Sequence, residues 1–119
     1  MHYWAVTDPG CVRSQNQDTY IIQKLAKGAV LCVVCDGMGG AKSGNVASSV
    51  AAEVFTKELL RSYKGQKDRE RLEQMLEKAA RLANHTVFEQ ARVNPDFEGM
   101  GTTLVAALVK GKQVAVVNV

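Results

Sequence analysis

The chain has 119 residues, of which 46% are hydrophobic and 23% are charged, and its formal net charge is +3. This composition is typical of a folded globular protein, either one small domain or part of a larger one, and it excludes an intrinsically disordered chain. The charge is too small and too dispersed to predict a nucleic-acid partner, because acidic residues interrupt the densest basic stretch, residues 61–71.

The sequence also argues against a membrane or an oxidising compartment. No apolar run reaches the roughly 20 residues that a membrane span needs, and the first residues lack the basic and apolar regions of a secretory signal. Three cysteines, an odd number, do not make a complete disulfide framework. Cys32 and Cys35 lie three residues apart in a predicted strand, so they point to opposite faces and are interpreted as small apolar side chains. We therefore expect a cytoplasmic protein.

The sequence of the first part of the chain predicts strands joined by turns. Residues 3–7 and 20–22 are aromatic and β-branched runs, and the polar residues between them predict a loop. Lys27 and Gly28 predict a hairpin turn. The nearly unbroken apolar run 29–35 predicts a strand that is buried on both faces.

The second part begins with two helices and returns to β-structure. Apolar residues recur every three or four positions from Asn45 to Leu59 and again over residues 68–91, which predicts two amphipathic helices. Residues 102–109 and 113–119 are β-rich runs, and the Lys-Gly-Lys sequence between them predicts a hairpin. Val119 lies within an apolar strand pattern, so we expect that the chain is cut from a longer one.

Asp36 is the first candidate for chemistry. It ends the apolar run, and three glycines follow it within four residues. Glycines at a strand end let the backbone turn sharply and let a ligand approach closely, which is typical of a metal or phosphate site. A plain Asp-Gly turn remains the alternative. A nucleotide-binding loop over residues 39–44 is a weaker interpretation, because both anchor glycines of the G-x-x-x-x-G-K-S motif are missing.

Asp18 and Arg13 are the other candidates. Carboxylates at strand ends suit hard divalent cations, and a nearby guanidinium suits a bidentate contact to phosphate. Together with Asp36 these residues indicate phosphoryl chemistry. A cysteine-dependent phosphatase is excluded, because Gln17 and Ala41 stand where its C-x5-R signature needs arginine.

Three ordered motifs carry a resemblance to a known family: residues 13–18 (RSQNQD), 34–40 (VCDGMGG) and 101–103 (GTT). In this order they resemble the N-terminal motifs of the metal-dependent type 2C protein serine/threonine phosphatases, most closely the bacterial branch. The resemblance implies an α+β fold, a four-layer αββα sandwich of two antiparallel sheets flanked by helices. Residues 1–119 would then be the N-terminal part of a single catalytic domain, with the C-terminal part absent.

The resemblance also implies roles for individual residues. Asp36 would bridge two Mn²⁺ or Mg²⁺ ions, the Gly37 carbonyl would bind one of them, Asp18 would hold metal-bound water, and Arg13 would bind the substrate phosphate. The substrates would be phosphoserine and phosphothreonine proteins, including a Ser/Thr kinase. Because the remaining ligands of the family lie further along the chain, we expect residues 1–119 alone to be inactive. Because the chain stops within the apolar strand 113–119, which leaves an unpaired edge and an uncovered sheet face, we also expect it to self-associate.

Two residues depart from the family pattern. Met38 stands where many relatives carry a histidine that protonates the leaving group, and a thioether donates no proton. Gln17 stands where others have a glutamate. A non-catalytic regulatory or binding module with the same fold is therefore the alternative function.

Overall fold

The computed structural model describes residues 18–39 and 43–119, which form one antiparallel sheet and a pair of helices. The strands are β1 (Asp18–Lys24), β2 (Val30–Met38), β3 (Gly101–Thr102), β4 (Val105–Lys110) and β5 (Gln113–Asn118). The helices are α1 (Ser43–Ser62) and α2 (Arg69–Val93), and two short 3₁₀ turns cover Ala26–Gly28 and Pro95–Phe97. The predicted strand over residues 3–7 lies outside the described residues.

The sheet has the strand order β1-β2-β4-β5, and the short β3 pairs with the end of β2. Side chains alternate across β2, so Leu31, Val33 and Cys35 point toward the helices and are fully buried. The same alternation places Cys32 on the opposite face, where it is only partly buried. The prediction that the two cysteines point to opposite faces is confirmed.

The helices pack on one face of this sheet through stripes of apolar side chains. In α1 the buried residues Ala47, Ala51, Phe55 and Leu59 recur every four positions and contact β2 and α2. The buried face of α2 recurs at steps of three and four residues and consists of Leu72, Leu76, Ala79, Ala80, Ala83 and Val87. Both predicted helices are confirmed, with α1 beginning two residues before the expected start and α2 ending before Asn94.

The prediction that β2 is buried on both faces is wrong. Val34 is 53% exposed and Met38 is 54% exposed, because both helices cover the other face of the sheet. Further apolar side chains on this uncovered face are exposed as well, namely Tyr20, Val105, Val114 and Val116. We call this surface the open face. An apolar run alone does not distinguish a strand covered on two faces from one covered on a single face.

Two predicted hairpins are confirmed, and one predicted strand is divided. Lys27 and Gly28 both have positive φ, which is the backbone conformation of a tight turn between β1 and β2. The strand predicted over residues 102–109 is interrupted at Thr103 and Leu104, where the Asp36 N–H donates to the side-chain hydroxyl of Thr103. Within the described ranges, neither helix is long and apolar enough to cross a membrane.

The α+β class predicted from the sequence is confirmed: an antiparallel sheet carries a helix pair on one side. The described residues supply one sheet and one helical layer of the expected sandwich. The open face is the face on which a second sheet would pack in a four-layer arrangement.

Candidate active site

Asp18 and Asp36 are direct cross-strand partners in the antiparallel pair of β1 and β2. Partners of this kind point to the same face with Cβ atoms about 4.5–5.5 Å apart. The register places them on the open face together with Tyr20 and Val34, and both are partly buried. Because directly opposed like charges repel, a cation at this position stabilises the pair. The structure therefore brings together two of the residues that the sequence predicted as metal ligands.

The backbone of Asp36 is held by Thr102 and Thr103. The Asp36 N–H donates to the Thr103 hydroxyl at 3.2 Å, and the Thr103 N–H donates to the Asp36 carbonyl at 3.0 Å. The Thr102 hydroxyl lies 3.2 Å from the Asp36 carbonyl and 2.8 Å from the Thr103 carbonyl, and it donates to one of them at a time. The Gly-Thr-Thr motif thus fixes the end of β2 from which the Asp36 side chain projects.

Sequence reasoning missed this function of the two threonines. They were recognised only as part of a motif, and the interaction joins residues 66 and 67 positions apart. The signal that could have found it is the pair of consecutive hydroxyl residues at the start of a predicted strand, since threonine side chains readily bond to backbone groups.

Gly39 allows the chain to turn away from the site. Its φ of +138° lies in a region that side chains rarely adopt. A Cβ added there would lie 2.7 Å from the Ser43 Oγ and 3.3 Å from the Met100 Cα. The positive φ and the close approach of Ser43 and Met100 therefore require glycine at this position.

Met38 lies two residues beyond Asp36 on β2, so it belongs to the same face of the strand. Its side chain packs beside Gly101, where an added Cβ would lie 3.6 Å from the Met38 Cγ. The thioether is a weak hydrogen-bond acceptor and has no proton to give. General-acid catalysis at this position is therefore excluded for this chain.

Cys35 precedes Asp36 but faces the helices, where it is completely buried. Burial raises the pKa of its thiol to about 11, and a hydrogen bond with Thr102 opposes this shift only in part. The side chain therefore stays a neutral thiol near neutral pH, and it is not a nucleophile. This agrees with the failure of the C-x5-R signature.

The described part of the site is not a complete metal centre. Within residues 18–39 and 43–119, no group of three or more His, Cys, Asp or Glu side chains is placed to hold a metal ion. Arg13 and Gln17 lie outside the described residues, so the predicted phosphate contact of Arg13 stays a prediction. Asp18, Asp36 and the backbone of Gly37 are the groups that the structure brings together.

The sequence and the fold of the chain match a family of known proteins. The family described as protein phosphatase 2C matches residues 12–119. The serine/threonine phosphatase stp of Listeria monocytogenes is 33% identical over all 119 residues. The crystal structure of the serine/threonine phosphatase Stp1 from Staphylococcus aureus has a TM-score of 0.82 and 33% identity over 95% of the chain. A structure of the catalytic domain of the phosphatase PstP with two manganese ions has a TM-score of 0.74 and 33% identity over 96%.

The chain spans about half the length of these relatives. It covers 47% of the Listeria protein, 44% of the Staphylococcus structure and 45% of the structure with manganese. The matched half contains Asp18, Asp36 and the two threonines that hold Asp36.

Proposed function

Because the chain belongs to the protein phosphatase 2C family, we propose that residues 1–119 form the N-terminal part of a catalytic domain that removes phosphate from phosphoserine and phosphothreonine in proteins. The observation that carries the proposal is the cross-strand pair of Asp18 and Asp36. Their carboxylates lie together on one face at the end of the sheet, and two threonines fix the backbone of Asp36. The relatives that match the chain are named serine/threonine phosphatases.

Asp36, Asp18 and the carbonyl of Gly37 are the groups that would hold divalent ions, either Mn²⁺ or Mg²⁺. The fit rests on the donor chemistry, because carboxylate and carbonyl oxygens are the ligands that hard cations prefer and opposed carboxylates gain from a shared cation. When bound, two such ions supply a nucleophile at neutral pH and neutralise charge on the phosphoryl oxygens. The manganese in the PstP structure supports this choice of metal.

The side chains of this chain then have separate tasks. Asp36 and Asp18 provide the negative charge that retains the cations, and Thr102 and Thr103 keep Asp36 in place. Arg13 would bind the substrate phosphate through the paired N–H groups of its guanidinium. Met38 has no proton to give, so the leaving oxygen takes its proton from a group other than residue 38.

The proposed substrates are cytoplasmic proteins phosphorylated on serine or threonine, including a Ser/Thr kinase whose signal the enzyme reverses. The 119-residue polypeptide by itself is proposed to be inactive. Its described residues bring two carboxylates together, whereas a two-metal site needs more carboxylate ligands. The polypeptide also spans 47% of the length of its Listeria relative.

A non-catalytic binding module is the second candidate function, and it is favoured by Met38, which has no proton to give. Metal removal distinguishes the two candidates. The longest natural polypeptide that contains this chain is treated with EDTA and assayed with a phosphothreonine peptide before and after Mn²⁺ is restored. We expect phosphate release to stop and then to return with manganese. A protein that retains the peptide and releases no phosphate in either state would be the binding module.

A further inference from the structure

Three turns lie together at the end of the sheet that is remote from Asp18 and Asp36. Lys24 pairs with Val30, and Val30 pairs with Val109, so the β1–β2 turn and the β4–β5 turn are at the same end. The α1–α2 connection reaches this end as well. The Gln113 side chain donates to the Lys67 carbonyl at 2.9 Å, and a Cβ added at Gly65 would lie 2.7 Å from the Lys27 Cγ.

These turns, residues 24–29, 63–68 and 110–113, form a surface that we call the lysine end. They contain a single carboxylate, that of Asp68. They also contain six lysines: Lys24, Lys27, Lys64, Lys67, Lys110 and Lys112. All of these lysines are exposed except Lys110, which is partly buried. The chain as a whole carries only +3, so folding concentrates positive charge that the sequence leaves dispersed.

The lysines of the lysine end form no ion pairs with the acidic residues that the structure describes. The nearby Arg61 and Arg69 each pair with a glutamate on their own helix, Glu58 and Glu73. In the part of the chain that the structure describes, none of the six lysines has a carboxylate within ion-pair distance. Like charges held this close create a positive potential that attracts an anionic partner.

The composition of the lysine end selects among anionic partners. Binding of single-stranded nucleic acid uses exposed aromatic rings for stacking, but Tyr63 is the aromatic residue of these turns and it is buried. Stable anchoring at a membrane surface uses an apolar group beside the basic charges, but Leu25 is buried as well. Lysines are compact point charges that lack the planar fork of arginine, so the lysine end suits an extended run of negative charges better than bidentate recognition of a single carboxylate or phosphate group.

We propose that the lysine end binds an acidic segment, rich in aspartate and glutamate, of a partner protein. The surface lies roughly 20 Å from Asp36, since β1 is seven residues long with a rise of about 3.3 Å per residue. A segment bound at the lysine end therefore does not occupy the candidate active site. This binding is independent of the proposed hydrolysis, because it does not require the phosphatase reaction.

The test uses the full chain and a fluorescent peptide of ten alternating aspartates and glutamates, with fluorescence anisotropy at low ionic strength. The triple variant K27Q/K67Q/K112Q removes three charges from the lysine end. The variant K57Q/K78Q/R81Q is the matched control, because it removes three exposed charges from the helices. Circular dichroism verifies that both variants are folded. We expect the first variant to bind about tenfold more weakly and the control to bind like the wild type.

Three results would overturn the proposal. The first is equal weakening in both triple variants, which would assign the binding to net charge alone. The second is wild-type affinity in K27Q/K67Q/K112Q, and the third is tighter binding to anionic lipid vesicles or single-stranded DNA than to the peptide at the same salt. Weaker peptide binding as salt is raised supports the proposal, since screening acts on exposed charges.

Discussion

Asp36 depends on hydrogen bonds made by residues far along the chain. The Thr103 hydroxyl accepts a hydrogen bond from the Asp36 N–H, and the Thr103 N–H donates to the Asp36 carbonyl. The Thr102 hydroxyl lies within hydrogen-bond distance of the same Asp36 carbonyl. A ligand on a fixed backbone loses less conformational freedom when it binds a cation than a ligand on a mobile loop does. The two threonines therefore act on metal binding through Asp36.

Substitution of Thr103 by valine tests this positioning. Thr103→Val keeps the shape of the side chain but removes the acceptor for the Asp36 N–H. We expect the free energy of unfolding to fall by about 1 kcal/mol and the Mn²⁺ affinity to fall with it. Urea unfolding and calorimetric titration with manganese measure the two effects. Thr103→Ser retains the hydroxyl and should restore both, whereas an equal loss in the serine variant would assign the effect to the missing methyl group.

At this scale the sequence singled out Asp18 and Asp36 as candidates but did not predict that they would lie opposite each other. Asp18 and Asp36 were singled out because they flank strands, and the structure shows that they are cross-strand partners. That pairing depends on the strand register, which the turn at Lys27 and Gly28 sets. A shift of one residue would have placed the two side chains on opposite faces. The role of Arg13 stays a prediction.

The helices were predictable because their apolar spacing is local. The burial of Ala47, Ala51 and Leu59 in α1 follows from their place on an apolar stripe with helical spacing, and the structure confirms it. The faces of β2 were not predictable in the same way. A strand's second face is covered or left open by elements far away in sequence, and residues 29–35 carry no information about them.

Adjacent leucines in α1 give a direct test of the packing. Leu59 is completely buried between the helices and the sheet, whereas Leu60 is 46% exposed. We expect Leu59→Ala to lower the free energy of unfolding by about 2–5 kcal/mol, because it removes buried methyl groups and leaves a cavity. Leu60→Ala is the control and should cost less than about 1 kcal/mol. Chemical denaturation of both variants measures the difference, and equal losses would contradict the assigned face of α1.

For the molecule as a whole, the open face is the face of the sheet that the helices leave uncovered. Tyr20, Val34, Val105, Val114 and Val116 expose apolar surface on the same side of the sheet as Asp18 and Asp36. Contiguous apolar surface of this kind favours association with another chain. The candidate active site thus lies beside the surface that is available for packing.

This arrangement predicts self-association of the 119-residue polypeptide through the open face. Val116→Lys places a charge on that face, and Val93→Lys, on an exposed position of α2, is the matched control. Light scattering over a range of concentrations should give a mass above that of a monomer for the wild type and for V93K. We expect V116K to shift toward the monomer. A monomeric wild type at every concentration would refute self-association, and equal dissociation of both variants would move the interface elsewhere.

The most direct test of the proposed function is the manganese-dependent turnover of a phosphothreonine peptide by the Asp36→Asn variant. The assay uses the longest natural polypeptide that contains this chain, and Asp96→Asn, at an exposed position far along the sequence, serves as the control. Asparagine keeps the shape of Asp36 but removes the charge that retains the cations. We expect kcat to fall by at least about 100-fold in D36N and to stay unchanged in D96N. Undiminished turnover by D36N with manganese supplied would contradict the assignment of Asp36 as the central metal ligand.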